Sequence, residues 1–124
     1  MSQIYANEQV YIKIHDSEIP WLKIYSQASC KEFSECDAAT KQQVWQLLDL
    51  IEVEMLCYFK PEKINIASFG NYKPRVHWHI MARYKEDSFY PEPMWGVKQR
   101  DSSLALPPMS GFVDLLLKVI QEKL

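Results

Sequence analysis

Ten consecutive residues, Arg75 to Tyr84, constrain this chain more than any other stretch, because their side chains alternate in character with a period of two. Neighbours in an extended strand point to opposite faces. Val76, Trp78, Ile80, Ala82 and Tyr84 therefore share an apolar face suited to a core, and Arg75, His77, His79, Met81 and Arg83 share the other. The second set is too polar for a core and too ordered in type for a generic solvent face.

The segments around this strand fit one α+β domain. Val10 to Ile14 alternates as a half-buried strand, and Trp21 to Tyr25 reads as a second, joined to it by the turn signals Asp16-Ser17 and Pro20. From Asp37 the period changes: Val44, Leu47, Leu48, Ile51, Met55 and Tyr58 lie three or four apart, as on one stripe of a helix. Asp37 is its expected N-cap, and Pro61 closes it just beyond Phe59. Ile64 to Phe69 reads as a third strand, with Gly70-Asn71 and Pro74 in the turn before the histidines. Residues 85 to 109 hold four of the seven prolines and read as an extended arm. Ser110 is the expected cap of a last helix carrying Phe112, Leu115, Leu116, Val119 and Ile120 on one stripe. The order β-β-α-β-β-α predicts a single domain over residues 1–124, an antiparallel sheet with two principal helices.

A net charge of −2 gives no broad basic field for nucleic acid, so an anionic ligand has to be held by local groups. No run approaches the roughly 18 apolar residues that would cross a bilayer. The start MSQIYANEQ lacks the regions of a signal peptide, and three cysteines make no disulfide framework, so a reducing cytoplasm is the expected location. Cys30 and Cys36 are spaced too widely for a zinc knuckle, and Cys57, at the edge of the helix stripe, is expected in the core.

The chemistry concentrates on His77 and His79, two apart on a strand and so on one side of it, roughly 7 Å apart at the backbone. Imidazole changes charge near neutral pH and serves as base, acid or nucleophile. Beside Arg75 the pair is suited to bind and attack a phosphate. The same spacing also occurs as surface decoration and as a zinc chelate. His15, the remaining histidine, completes a three-histidine metal site only if the first hairpin folds over the histidine strand. Trp21, Trp78 and Trp95 read as packing residues, with Trp95 a candidate dimer contact on the arm.

The run from Asn65 to Tyr84 resembles the signature of the histidine-triad (HIT) superfamily: strand, glycine-containing turn, then alternating histidines and apolar residues. Pro91-Glu-Pro-Met-Trp-Gly96 and His15-Asp16 through Pro20-Trp21-Leu22 resemble two further stretches of a bacterial subgroup of that family. The resemblance covers about residues 10 to 96. It implies that His77, the middle position, is the nucleophile that forms a nucleotidyl-histidine at an α-phosphorus, and that His79 contacts phosphate oxygens. It places Asp16 against the ribose and Asn71 near phosphate. The first triad position is Arg75, a candidate bidentate phosphate ligand in place of histidine.

Two functions follow from the resemblance. One is a nucleotidyl hydrolase or transferase acting on nucleoside phosphoramidates, dinucleoside polyphosphates or similar conjugates, without metal or other cofactor. The alternative is a nucleotide-binding or regulatory module that keeps the fold and has lost most turnover. A homodimer is expected, since HIT-like domains commonly pair and 16 aromatic residues leave apolar surface for it.

Overall fold

In the computed structural model, which describes residues 2–124, five strands form one antiparallel sheet in the order β1-β2-β3-β5-β4. The strands are β1 (Gln3–Ala6), β2 (Val10–Ile14), β3 (Trp21–Ser26), β4 (Lys63–Ala67) and β5 (His77–Arg83). Helix α1 (Ala38–Phe59) packs on one face of the sheet, and α2 (Met109–Lys123) packs against α1.

Strand β1 is absent from the sequence reading, being four residues long and only partly buried. Its signal is Asn7, whose side-chain carbonyl accepts from the amides of Gln9 and Val10 at 2.9 Å and so turns the chain into β2. Asp37 caps α1 as expected, accepting from the Thr40 amide at 2.8 Å. The helix ends with Lys60 in the left-handed region ahead of Pro61. Its buried stripe runs Val44, Leu47, Leu48, Ile51, Met55, and it finishes on Phe59 rather than Tyr58. Cys57 is exposed, whereas Cys30 and Cys36 are buried together. Burial and the adjacent Cys30 push the Cys36 thiol up to about 12. Ser110 does not cap α2. That helix starts one residue earlier, behind Pro108, whose carbonyl accepts a hydrogen bond from the Tyr58 hydroxyl at 2.9 Å.

Strand β5 is shorter at both ends than the 75–84 alternation. The Val76 amide is already committed to the Cys30 carbonyl, and the Tyr84 amide turns to the Asp87 carboxylate. Between those ends the two-faced pattern holds. Trp78, Ile80 and Ala82 join Ile12, Leu22, Ile24 and the α1 stripe in the core.

The opposite face is not open along its whole length. Met81 and Arg83 are only 2% exposed, because the 85–108 arm folds back over them. Arg83 and Asp87 organise this return. The Arg83 guanidinium binds both Asp87 oxygens (2.9 and 3.1 Å), Asn65 Oδ1 and the Glu92 carbonyl. Asp87 also accepts from the backbone amides of Tyr84, Phe89 and Tyr90. A buried pair satisfied this completely sets the path of a segment with almost no regular structure.

Candidate active site

His77 and His79 emerge on the arm-bearing face, where Trp95 of the arm packs against the buried His79 and His77 stays part-exposed. A cleft of about 430 Å³ opens there, lined by both histidines, Lys23 and Tyr25 of β3, residues 69–73 of the β4–β5 turn, and Trp95 of the arm. Gly70 takes φ +75 in that turn, a conformation that side chains disfavour, and so brings Asn71 to the cleft wall.

The two imidazole rings lie 5.1 Å apart, and their hydrogen bonds fix them in opposite tautomers. His77 Nδ1 is 2.9 Å from the Arg75 carbonyl. A carbonyl only accepts, so Nδ1 carries the proton, and in the neutral ring Nε2 keeps a free electron pair. His79 Nδ1 is 3.0 Å from the Trp21 indole nitrogen. Indole N–H only donates, so His79 Nδ1 is the acceptor and its proton sits on Nε2. Burial lowers the His79 pKa to about 4, helped by the nearby charges of His77, Lys23 and His15. His79 is thus a neutral hydrogen-bond donor, while His77 offers a lone pair beside it.

Neighbouring groups hold these orientations. The Tyr25 ring stacks on His77 at 5.1 Å, and Ser68 Oγ donates to the His77 carbonyl at 2.6 Å. Trp95 packs edge-on against His79, Trp21 and Phe69 and so forms part of this site within its own chain.

Arg75 does not line the cleft, and its guanidinium is engaged elsewhere. Its Nη2 donates to the carbonyls of Ser26 and Gln27 at 2.9 and 2.7 Å, and its guanidinium lies over the Tyr11 ring. The carbonyls that end β3 lack sheet partners, and the guanidinium satisfies them instead. Asp16 is exposed in the β2–β3 turn and does not line the cleft. His15 packs on Trp21 at 4.1 Å rather than joining the histidine pair. Among the described residues no three His, Cys, Asp or Glu side chains converge as a metal cage. None of the described helices is long and apolar enough to cross a membrane.

Sequence reasoning brought His77, His79 and Asn71 to the cleft. It missed Lys23, Tyr25, Phe69, Tyr72 and Lys73, and it treated Trp21 and Trp95 as packing. The signal for β3 was available: Lys23 and Tyr25 alternate with Leu22 and Ile24, so they share the face opposite the core.

The burial of His79, with its Nδ1 accepting from Trp21, predicts a pH dependence. His79 stays neutral in the folded chain down to about pH 4, whereas the unfolded chain protonates it near 6.5. Its contribution to stability is present above pH 6.5 and is lost as the pH falls toward 4. In Trp21→Phe the neutral ring loses its donor, its pKa rises, and the acid-side slope of Tm flattens. Nitrogen NMR should show His79 protonated on Nε2 in the parent protein and a mixture of tautomers in the variant.

As a sequence the chain matches no family model and no curated protein. Its fold does match solved structures. A histidine triad protein from Bradyrhizobium japonicum superposes with a TM-score of 0.78 at 26% identity, over 94% of this chain and 88% of that one. Histidine triad proteins from Sinorhizobium meliloti and Marinobacter aquaeolei each give 0.72, at 22% and 20% identity. They cover 96% and 95% of this chain, and 87% and 85% of their own. With the two histidines on one strand above a cleft, and this overlay along nearly the whole chain, the protein belongs to the histidine-triad superfamily.

Proposed function

We propose that the chain is a nucleotidyl hydrolase or transferase in which His77 Nε2 attacks the α-phosphorus of a nucleotide conjugate. The observation that carries this is the pair of opposite tautomers: an unprotonated nitrogen beside a neutral donor, both facing one cleft. As the Nε2–phosphorus bond forms, the bond to the leaving group breaks and its electron pair departs with that group. His79 Nε2–H donates to an equatorial phosphate oxygen, where charge develops. Water then attacks the same phosphorus and releases a proton to solvent, balancing the one the leaving group takes up from solvent, and the electron pair returns to Nε2 as the nucleoside monophosphate leaves. Asn71 and the backbone of its turn supply further polar contacts, and the apolar walls of Phe69, Tyr72 and Trp95 suit a base or sugar. Ribose contact by Asp16 requires the turn to move toward the cleft.

A second reading is favoured by Arg75, whose tethered guanidinium replaces the first histidine: a binding module with little turnover. Incubation with adenosine 5′-phosphoramidate and diadenosine tetraphosphate, with and without chelator, separates the two. Chelator-resistant release of AMP, with a nucleotidyl-enzyme trapped by acid quench and seen by mass spectrometry, supports the enzyme. Binding without either supports the module.

We also propose a homodimer through α1 and the β4 edge. Trp45, Val53 and Leu56 lie along one side of α1, all at least 45% exposed, and Ile66 of β4 is equally exposed on the helix side of the sheet. Edge strand β4 presents unpaired backbone groups beside them. Light scattering at micromolar concentration should give twice the chain mass, and Val53→Lys with Leu56→Lys should return it to a monomer.

A further inference from the structure

Resting on the nucleotidyl-transfer reading above, we propose that Lys23 and Lys13 form a track for a phosphate chain, leading from the histidines across β3 and β2 toward the sheet edge.

Sheet register places the parts. His79 pairs with Lys23, and Lys23 pairs with Lys13; in the adjacent row His77 pairs with Tyr25, and Tyr25 with Tyr11. Cross-strand partners share a face. Contacts confirm that this is the histidine face: Tyr25 stacks on His77, Tyr11 stacks on Tyr25 at 4.9 Å, and the two lysine ammoniums lie 5.8 Å over the rings of Tyr25 and Tyr11. The tyrosines form a floor along which the ammonium groups are held.

Charge distribution supports the same conclusion. The chain carries 16 acidic residues against 14 basic ones, yet none of the five strands contains an Asp or Glu. Lys13 and Lys23 have no carboxylate partner among the described residues, whereas Arg83, Lys85 and Lys98 do. Two unpaired cations beside an anion-binding pair, in an acidic protein, are a local field. The charge on Lys23 is felt at both His79 and His15, whose pKa values it helps to lower.

Geometry selects the direction. Toward β4 the Phe69 and Trp95 rings, 4.7 Å apart, stand between the histidine cleft and a separate pocket over Asn65 and Met81. Toward β2 Tyr11 and Lys13 stay part-exposed, and two strand spacings, about 10 Å, separate β5 from β2. A single phosphate at His77 does not reach Lys13; a chain of about three or four does.

Titration calorimetry with inorganic tripolyphosphate and with orthophosphate tests this without requiring turnover. The parent protein should bind tripolyphosphate about tenfold or more tightly than orthophosphate. Lys13→Gln should remove most of that difference and leave orthophosphate binding within about twofold, and Lys13→Arg should restore it. Equal affinity for the two anions, or no effect of Lys13→Gln, overturns the track. In turnover, Lys13→Gln should lower kcat/KM for diadenosine tetraphosphate and spare adenosine 5′-phosphoramidate. If neither compound is turned over, the enzymatic reading fails while the titration still decides the track.

Discussion

Replacing His77 with alanine should abolish nucleotidyl transfer, with turnover falling at least about a thousandfold and nucleotide affinity staying within about tenfold. The imidazole supplies the bond-making atom, and no second unprotonated nitrogen faces the cleft, since the His79 lone pair is committed to Trp21. Affinity comes from separate groups around the cleft. His79→Ala should act in the other order, weakening binding more and chemistry less, because its Nε2–H contacts phosphate oxygen without forming a bond. Single-turnover kinetics with a mass measurement of the nucleotidyl-enzyme read both. Survival of the covalent species in His77→Ala rules out His77 as the nucleophile.

Asp87→Asn is expected to be the most damaging single substitution outside the cleft, costing about 3–5 kcal/mol. Asp87 is fully buried and bonds Arg83, itself only 2% exposed. Burial alone raises the Asp87 pKa, but the guanidinium and three backbone amides outweigh it and hold the carboxyl below its ordinary value. The substitution strands the Arg83 charge in the core and offers an amide N–H where backbone N–H groups seek an acceptor. Urea unfolding should show a lower midpoint, and Trp95 fluorescence should shift red as the arm loosens. Because Trp95 walls His79, binding at the cleft weakens with it. An unchanged midpoint means that the arm is held elsewhere.

The sequence made four of the five strands and α1 legible, and β5 and α1 most clearly because each rests on a strong period. The alternation in 75–84 identified both faces of β5, and the three-four spacing of Val44 to Met55 identified the buried side of α1. The fold of the arm was not legible. Its order comes from Arg83 and Asp87, whose charges carry no period and read as surface residues until a partner covers them. The roles of Trp21 and Trp95 were hidden for a related reason: indole reads as apolar volume, and nothing in a one-dimensional string shows that its N–H will meet a histidine 58 positions away. Arg75 read as a phosphate ligand because it stands next to the pair on the same face. The local competition was set by the unpaired carbonyls of Ser26 and Gln27, which only the folded sheet reveals.

The group that orients His77 is the oxygen of residue 75, an atom that every amino acid carries. The identity of the side chain there is therefore decoupled from the attacking geometry. The side chain of residue 75 is thereby available for holding the end of β3 while His77 keeps its orientation.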